Sequence, residues 1–414
     1  MRHLLLCMGL AALLCACERT EPSLQEPDFP DKTYRDIGNT CQAADGGLAT
    51  VLTRTATNQT RGSQAPVRTE VVVVKTDLQG KVQWTKLVWT GTKLGYPKPL
   101  IHPLSNGGYI VFLVIPPVST SSTSPYTDTF AETVLIRLSN TGEVVSQLPV
   151  EGMVPHPNFR ATQILSLPDN GFVGGNGGFI IGGDFYSVLT GFYGTNSMLM
   201  RFDEQGRLQW QQDYKSFRFF ESVMTLTRDG GVLVASSPGY KTPDNIDQSF
   251  VTKIDPKGRE LWHRRYGLIA IHAIRELGNG GIMLYGINTN RPKNMVILTL
   301  FEQGDFNQAQ VFSTTAPAAV VPLGVFPSAI DNVLVYTVRT GEIEFLTTSP
   351  SGVEQNHQLI KVPFFDQKQN RLIRLPMPDG SFIFSGRNLA GSFMVTKTKP
   401  DKTLDWHTTI ATNN

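Results

Sequence analysis

The sequence has few of the residues that mark a disulfide-bonded scaffold or a nucleic-acid-binding protein. It contains 4 cysteines in 414 residues, and charged residues make up only 17% of it. The formal net charge is +2 and no basic block occurs. We therefore expect neither a disulfide framework nor binding to nucleic acid.

Apolar runs long enough to span a bilayer are also missing near the N-terminus. The run from Leu4 to Cys15 is followed by the polar residue Glu18, whereas a membrane-spanning helix needs roughly twenty apolar residues. Because Arg2 precedes this run, the segment has the form of an export signal.

The end of this signal carries a recognisable pattern. Leu14-Cys15-Ala16-Cys17 resembles the lipobox of bacterial lipoproteins, with Cys15 in place of the usual small residue. The resemblance implies that residues 1–16 form a lipoprotein signal peptide and that Cys17 receives the lipid. An ordinary secretory signal cut nearby is the alternative. Glu18 after the cysteine implies the outer membrane, on either its periplasmic or its cell-surface side.

Lipidation and signal removal leave Cys41 without a partner, so we expect a buried structural thiol there. Residues 17–33 contain several prolines and acids without apolar periodicity, and this composition predicts a flexible tether.

Motifs of common catalytic and metal sites are missing as well. The sequence has no G-x-S-x-G elbow, no H-E-x-x-H, no P-loop and no EF-hand loop, and its histidines do not fall at zinc-ligand spacing. We predict no catalytic, cofactor-binding or metal-ligating residue from sequence.

Glycine, by contrast, is abundant and recurs in a regular setting. One signature is a Gly-rich turn that enters an apolar run, and each copy predicts a hairpin with a two-residue turn. The copies are Asp45-Gly46-Gly47, Asn106-Gly107-Gly108, Asp169-Asn170-Gly171, Asp229-Gly230-Gly231, Asn279-Gly280-Gly281, Asp379-Gly380-Ser381 and the weaker Asp331-Asn332-Val333.

A second signature alternates with the first. It is an apolar strand, a polar turn with glycine, and a strand that often carries tryptophan four residues after that glycine. The turn residues are Gly80, Gly142, Gly206, Gly258, Gly304, Gly352 and, in the last copy, Lys402.

Seven alternating copies at intervals of about fifty residues predict an all-β protein, a single seven-bladed β-propeller of four-stranded antiparallel blades over residues 34–414. Strand A of the first blade should include Asp36–Gln42 and the last strand should be Leu404–Ile410, so that the chain ends meet at one junction.

Strings such as Arg228-Asp229-Gly230-Gly231, followed by Lys253-Ile254-Asp255, Gly258 and Trp262, resemble the propeller repeats of secreted proteins and lipoproteins of Bacteroidetes-type bacteria. These motifs are similar to quinoprotein and WD40-like repeats. The resemblance covers most of residues 34–410 and implies a fold and a compartment rather than a chemistry.

Residues repeated at one slot of every blade are predicted to be structural. The tryptophans at that slot should pack between neighbouring blades. Asp77, Asp203 and Asp255 should bond their own turn backbone. The cluster Gly174-Gly175-Asn176-Gly177-Gly178 with Gly182-Gly183 is predicted to be a mobile loop rather than a phosphate cradle.

Function is expected on the face that carries the long connections. Thr53–Thr69, Ile115–Glu132, Gly174–Ser197 and Ser236–Ser249 are predicted as loops between strands B and C, and Leu87–Pro99 and Pro149–Phe159 as connections between blades. Aromatic residues in these segments are candidate ligand-binding residues, namely Trp89, Tyr96, Tyr126, Tyr186, Tyr193 and Tyr240. Alternatively, these side chains only pin the loops to the ring.

Three functions remain open from the sequence. The first is a monomeric, non-enzymatic binding or scaffold lipoprotein that presents this face to an envelope protein or polysaccharide. The second is a propeller enzyme of glycoside-hydrolase type, which would need two carboxylates; the loop acids are Asp128, Asp184, Asp244 and Asp247. The third resembles the propeller lipoprotein of outer-membrane barrel assembly, although the repeat style differs.

Overall fold

The structure is a computed structural model that describes residues 32–410 except for several connections. The residues outside the description within this range are 57–67, 92–96, 116–131, 151–159, 168–178, 188–193, 215–218, 239–247, 268, 289–290, 314–320, 328–331, 340–341, 350–352, 362–372, 378 and 388–392. The described chain is almost entirely β-strand, and none of it forms a helix long and apolar enough to cross a membrane.

The strands follow one another in groups of four, which we number as blades. Blade 1 contains β1 (Lys32–Gln42), β2 (Leu48–Ala56), β3 (Arg68–Thr76) and β4 (Val82–Gly91). Blade 2 contains β5 (Lys98–Pro103), β6 (Tyr109–Ile115), β7 (Glu132–Leu138) and β8 (Val144–Pro149). Blade 3 contains β9 (Arg160–Ser166), β10 (Phe179–Ser187), β11 (Gly194–Phe202) and β12 (Leu208–Tyr214). Blade 4 contains β13 (Phe219–Leu226), β14 (Val232–Pro238), β15 (Gln248–Ile254) and β16 (Glu260–Gly267).

The second part of the chain continues this order. Blade 5 contains β17 (Ile269–Glu276), β18 (Ile282–Asn288), β19 (Arg291–Leu300) and β20 (Phe306–Ser313). The next group contains β21 (Val321–Pro327), β22 (Asn332–Arg339), β23 (Glu342–Thr348) and β24 (Glu354–Lys361). The last contains β25 (Ile373–Pro376), β26 (Phe382–Arg387), β27 (Phe393–Thr398) and β28 (Leu404–Ile410). β28 has the bounds predicted from the sequence, and β1 begins slightly before the predicted boundary at residue 34.

Each group forms its own antiparallel sheet in sequential order, so the described strands form seven four-stranded sheets. The first strands of consecutive sheets contact one another, and β1 contacts β25. At this last junction the Thr40 and Ser385 hydroxyls lie 3.0 Å apart, and the Trp406 indole N–H donates to the Leu78 carbonyl at 3.1 Å. The sheets therefore close into a ring, with the first strands at its centre, and the architecture is a β-propeller.

Apolar side chains fill the junctions between neighbouring blades. Six described hydrophobic clusters each join two neighbouring sheets. The junction between the last two sheets is described instead by one aromatic residue, Phe345, whose ring centroid lies 5.4 Å from that of Phe382 and 6.1 Å from that of Phe384. The blades thus share one sheet topology, and apolar side chains pack between neighbouring sheets at every junction.

The predicted two-residue hairpin turns are wrong in their geometry. At the first turn, Gly46 N–H donates to the Ala43 carbonyl and Ala43 N–H donates to the Gly47 carbonyl, which describes a three-residue loop whose last residue is left-handed. Gly46 has φ +82°, and Asp45 keeps an ordinary φ because its side chain accepts the Gly47 N–H at 3.0 Å. One left-handed residue therefore suffices, where the two-residue turn would need two.

The turns between the third and fourth strands use the same geometry. As predicted, the Asp side chains bond their own turn: Asp77 Oδ1 accepts from the N–H groups of Gln79 and Lys81, and Asp255 Oδ1 accepts from those of Lys257 and Arg259. Asp203 Oδ1 likewise accepts the Arg207 N–H.

The tryptophan slot confirms the prediction that these rings pack between blades. Each ring lies against the turn glycine of the next blade. A Cβ atom added at that glycine would lie within 3.0 Å of the tryptophan ring. The four contacts are Trp84 with Gly142, Trp210 with Gly258, Trp262 with Gly304 and Trp406 with Gly80.

Where the tryptophan is missing, the neighbouring turn is less constrained. Ser146 occupies the slot before Gly206, and a Cβ at Gly206 would have its nearest contact at 3.4 Å, from Leu135. Asn356 occupies the slot before Lys402, the only described non-glycine residue with a positive φ, at 70°. Lys402 Nζ offsets this strain by donating to the carbonyls of Gly380 and Pro400, each at 2.8 Å.

Blade 3 departs from the sequence prediction. Its second strand was expected to begin at Phe172, after the turn Asp169-Asn170-Gly171, but β10 begins at Phe179 and pairs it with Ser166. The predicted turn lies outside the described residues. Gly182 and Gly183 belong to β10, so this part of the predicted mobile loop is strand. A Cβ atom at Gly182 would lie 2.8 Å from the Met224 sulfur of blade 4, which explains why glycine occupies it.

Candidate functional site

The two faces of the ring differ in their connections. On one side of the ring, which we call the turn face, the described connections from first to second strand and from third to fourth strand are three-residue turns. In blade 3, residues 167–178 connect the first to the second strand on this side. The opposite side, the loop face, carries the connections from second to third strand and from blade to blade. This division agrees with the one predicted from the sequence.

The connections between second and third strands on the loop face differ in length from blade to blade. β2 ends at residue 56 and β3 begins at 68; β6 ends at 115 and β7 begins at 132; β14 ends at 238 and β15 begins at 248. In the blades that contain β18 and β22, by contrast, the third strand begins three residues after the second strand ends. The longest connections between second and third strands thus lie in blades 1, 2 and 4, and another long connection on this face, residues 362–372, joins the last two blades.

Two of the predicted ligand-binding residues lie on strands. Trp89 belongs to β4, where it is paired with Val71 and packs on the cluster between blades 1 and 2. The connection predicted as Leu87–Pro99 is therefore shorter, because β4 continues to Gly91. Tyr186 belongs to β10 and is paired with Thr195, so the predicted loop Gly174–Ser197 is interrupted by two strands.

The other candidates fall outside the described residues, namely Tyr96, Tyr126, Tyr193, Tyr240, the lipidation residue Cys17, and the loop acids Asp128, Asp244 and Asp247. Asp184 is on β10, paired with Ser197. The structure thus does not bring these residues together in a described site.

A buried ion pair lies where β2 and β3 approach the loop face, and the sequence analysis did not find it. Arg54 Nε donates to Glu70 Oε2 at 2.7 Å, with 5% and 0% of the two side chains exposed. The second oxygen, Glu70 Oε1, lies 3.6 Å from Arg68 Nε. Breaking such a pair leaves an uncompensated buried charge, so these contacts fix the base of the connection 57–67. An Arg and a Glu that each interrupt an apolar strand are the sequence signal that could have indicated it.

The acidic residues on the turn face have structural partners. Lys75 Nζ, almost fully buried, donates to Asp45 Oδ2 at 2.8 Å, and the same strand positions place Lys253 near Asp229 and Lys397 near Asp379. Burial raises the pKa of Asp45, but the Lys75 ammonium and the Gly47 N–H outweigh it and hold the pKa below its usual value. These pairs fasten the first turn of a blade to its third strand.

A cavity of about 530 Å³ lies at the rim between blades 3 and 4. Lys257, Arg259 and Arg265 line it together with Asp213, Glu260 and Tyr214. Arg259 is already paired with Asp255 at 2.7 Å, and Arg265 lies over the Phe250 ring. With acids and bases both present, the cavity has no strong preference for one sign of ligand charge.

The buried nucleophiles and histidines serve packing. Burial raises the pKa of Cys41 to about 12, which confirms the expected buried thiol. Burial lowers the pKa of His102 to about 4, so this ring is neutral at pH 7. Burial also lowers the pKa of His263, whose Nδ1 lies 2.8 Å from the Thr252 hydroxyl and whose ring stacks on Phe250. Among the described residues, no three His, Cys, Asp or Glu side chains are grouped to hold a metal ion.

Comparisons with known proteins find similarity in the fold. No protein-family model matches the chain, and no curated protein matches it. A mutant of the apocarotenoid oxygenase from Synechocystis is similar over 91% of this chain and 91% of its own, at 12% identity and a TM-score of 0.51. A protein of unknown function from Dyadobacter fermentans matches 80% of this chain and 96% of its own, at 12% identity and a TM-score of 0.45. The polysaccharide lyase Uly1 matches 94% and 90%, at 10% identity and a TM-score of 0.48.

The chain is thus an all-β propeller with four-stranded antiparallel blades. At these identities the likeness shows the fold alone, and folds of this kind carry many activities. The Bacteroidetes-type repeat family that the sequence resembles is not confirmed by these comparisons.

Proposed function

We propose that the protein is a non-enzymatic binding protein of the bacterial envelope. In this proposal Cys17 anchors it to the outer membrane through a lipid, and the loop face of blades 1 to 4 binds an envelope protein or a polysaccharide.

The observation that supports this proposal most is the uneven distribution of connections. The described turns of the turn face share one short geometry, and the long connections between second and third strands, 57–67, 116–131 and 239–247, leave the loop face in blades 1, 2 and 4. Propellers and other rigid scaffolds commonly carry their binding residues on such variable segments. The Arg54–Glu70 pair would provide a rigid base for one of them.

The aromatic residues of these segments supply the chemistry of the proposed surface. Tyr126 and Tyr193 lie within the connections, and Tyr186 lies near the loop-face end of β10. Tyrosine offers a planar apolar ring for stacking on a sugar or packing on a protein, and a hydroxyl for a hydrogen bond at its edge.

The test pairs binding with stability. The protein is screened on glycan arrays and used in a pull-down from envelope extracts, and the ligand found is then offered to a variant that combines Tyr126→Ala, Tyr186→Ala and Tyr193→Ala. We expect this variant to keep the melting temperature of the parent and to lose at least tenfold in affinity.

Trp262→Ala is the matched control for stability. It removes the partly buried ring that packs on Gly304, so it should cost about 1–3 kcal/mol of unfolding free energy. A triple variant that melts as early as Trp262→Ala would show the tyrosines to be structural pins. A triple variant that stays folded and binds normally would place the site elsewhere and contradict the proposal.

A further inference from the structure

The chain enters the ring on the loop face. β1 ends at Gln42 and leads into the turn of residues 43–47, which lies on the turn face. The other end of β1, Lys32, therefore lies at the loop face. Because β1 contacts β5 and β25, the first strands of the two neighbouring blades, this entry point is near the axis of the ring rather than at its rim.

The length of chain between Cys17 and Lys32 limits how the ring can stand on a membrane. Residues 18–31, even when fully extended, span at most about 50 Å. A path from Lys32 around the rim must first cross the four strands of a blade, which lie about 5 Å apart and so add about 15 Å. It must then follow the outer strand β4, whose residues Val82–Gly91 add about 30 Å before the turn face is reached. This path uses nearly the whole reach of the segment.

A shorter path would run through the centre of the ring. It would thread the segment between the first strands of the blades, and protein chains avoid such threading. A ring anchored through Cys17 therefore turns its turn face to the membrane only when residues 18–31 are drawn out almost completely. Because fixing a chain in one extended conformation costs conformational entropy, the opposite arrangement, with the loop face toward the membrane, is favoured.

We propose that the loop face is turned toward the membrane that holds the lipid of Cys17, and that its partner is a protein embedded in that same membrane. This placement rests on the lipid anchor and the binding face of the proposed function, and it specifies where the partner lies. The turn face then points away from the membrane.

The charges at the loop face favour a protein over the lipid surface itself. Anionic headgroups attract clusters of basic residues, whereas Arg54 and Arg68 lie beside the carboxylate of Glu70. The exposed strand-end residues of this face include Glu132 as well as Lys361. A surface with both signs of charge suits a protein partner of complementary pattern. A polysaccharide layer on the far side of the ring would meet the turn face instead.

Two single-cysteine variants report which face is nearer the membrane. Gly267→Cys places a label at the loop-face end of β16 in blade 4, where an added Cβ atom would meet nothing within 4 Å. Lys257→Cys places one in the exposed turn before the same strand, on the turn face. The length of β16 holds the two labels about 25 Å apart. A thiol-reactive dye labels only the introduced residue, because the lipid blocks Cys17 and the buried Cys41 has a pKa raised to about 12.

Energy transfer to the membrane measures the facing. The lipidated protein is inserted into vesicles of phosphatidylethanolamine and phosphatidylglycerol that contain an acceptor-labelled lipid. We expect the transfer from Gly267→Cys to be at least twice that from Lys257→Cys. Equal transfer, as for a ring that lies on its rim, or a larger transfer from Lys257→Cys would overturn the proposed facing.

An insertion of twenty Gly and Ser residues before Lys32 is the matched control, because it removes the limit on reach. The difference between the two transfers should then fall by at least half. A difference that the insertion leaves unchanged would show that the loop face adheres to lipid, and it would overturn the assignment of a protein partner.

The partner is tested with the same two variants in vesicles made from cell envelopes, where each cysteine carries a photoreactive group. Gly267→Cys should crosslink to a protein that stays in the membrane after washing with high salt and alkaline carbonate, and Lys257→Cys should not. Absence of this crosslink, its formation from both variants, or a crosslink to polysaccharide in its place would overturn the proposed partner. Mass spectrometry of the purified protein separates these outcomes from failure of the anchor, since a chain without lipid on Cys17 would refute the proposed function and the facing together.

Discussion

The contact between Trp210 and Gly258 can be tested by the addition of one methyl group. Gly258 has φ +84°, and a Cβ atom there would lie 3.0 Å from Trp210 Cδ2 and 3.1 Å from Cε3. The left-handed conformation costs alanine about 1–2 kcal/mol, and overpacking against a fixed ring adds about 1–3 kcal/mol. We therefore expect Gly258→Ala to lower the free energy of unfolding by about 2–5 kcal/mol.

Gly206→Ala separates the two contributions. Gly206 has φ +80°, but its nearest contact would be Leu135 Cδ1 at 3.4 Å, so only the backbone cost of about 1–2 kcal/mol should remain. Urea denaturation followed by circular dichroism measures both variants. In a Trp210→Ala background, Gly258→Ala should lower the free energy of unfolding by no more than Gly206→Ala does, because the indole ring is absent. Equal losses for the two glycine variants in the parent, or an undiminished loss in the Trp210→Ala background, would refute the steric explanation.

Three further changes address the anchor, the ring and the turn-face ion pairs. Cys17→Ala should move the protein from the membrane to the soluble fraction of fractionated cells, and persistent membrane association would contradict lipidation. Deletion from Thr403 onward removes β28 and Trp406, so thermal melting should show cooperative destabilisation of the whole ring; an unchanged melting curve would argue against closure by the two chain ends. Folding lowers the pKa of Asp45, so its pairing with Lys75 stabilises the folded state above about pH 4. This stabilisation is lost as the pH falls through the folded-state pKa. The melting temperature of Asp45→Asn should therefore fall less than that of the parent on acidification. An equal fall would show that the pair does not contribute to stability.

The repeated turns show how far local sequence predicts this fold. Five described turns between first and second strands combine an Asp or Asn side chain that accepts a backbone N–H with a glycine of positive φ, and both features are readable in one short motif. The position of the turns therefore follows from sequence, except in blade 3, where several glycines before Phe179 offer alternative places. The number of residues in the turn does not follow, because Asp-Gly-Gly fits both a two-residue and a three-residue loop.

Contacts between blades are only partly predictable. The recurrence of tryptophan at one slot indicates packing against a neighbour, but its partner, the turn glycine of the next blade, is about fifty residues away and is also explained by its own turn. The Arg54–Glu70 pair is hidden for the same reason: cross-strand partners depend on register, and each residue alone has the sequence signature of a strand end. Of the proposed binding residues, Trp89 was expected in the connection Leu87–Pro99, yet the pairing of β4 with β3 continues to Gly91.

The position of the tryptophan contacts has a consequence for engineering this ring. A tryptophan and the glycine that accommodates it belong to different blades, so a transplanted blade brings half of one contact and half of another. The exchangeable unit therefore runs from the fourth strand of one blade to the last turn of the next, such as residues 260–304, and is offset from the sheet boundaries. A graft that placed a tryptophan-bearing fourth strand before Lys402 would set an indole against a side chain where the other copies have glycine, and a lysine-to-glycine exchange would have to accompany it.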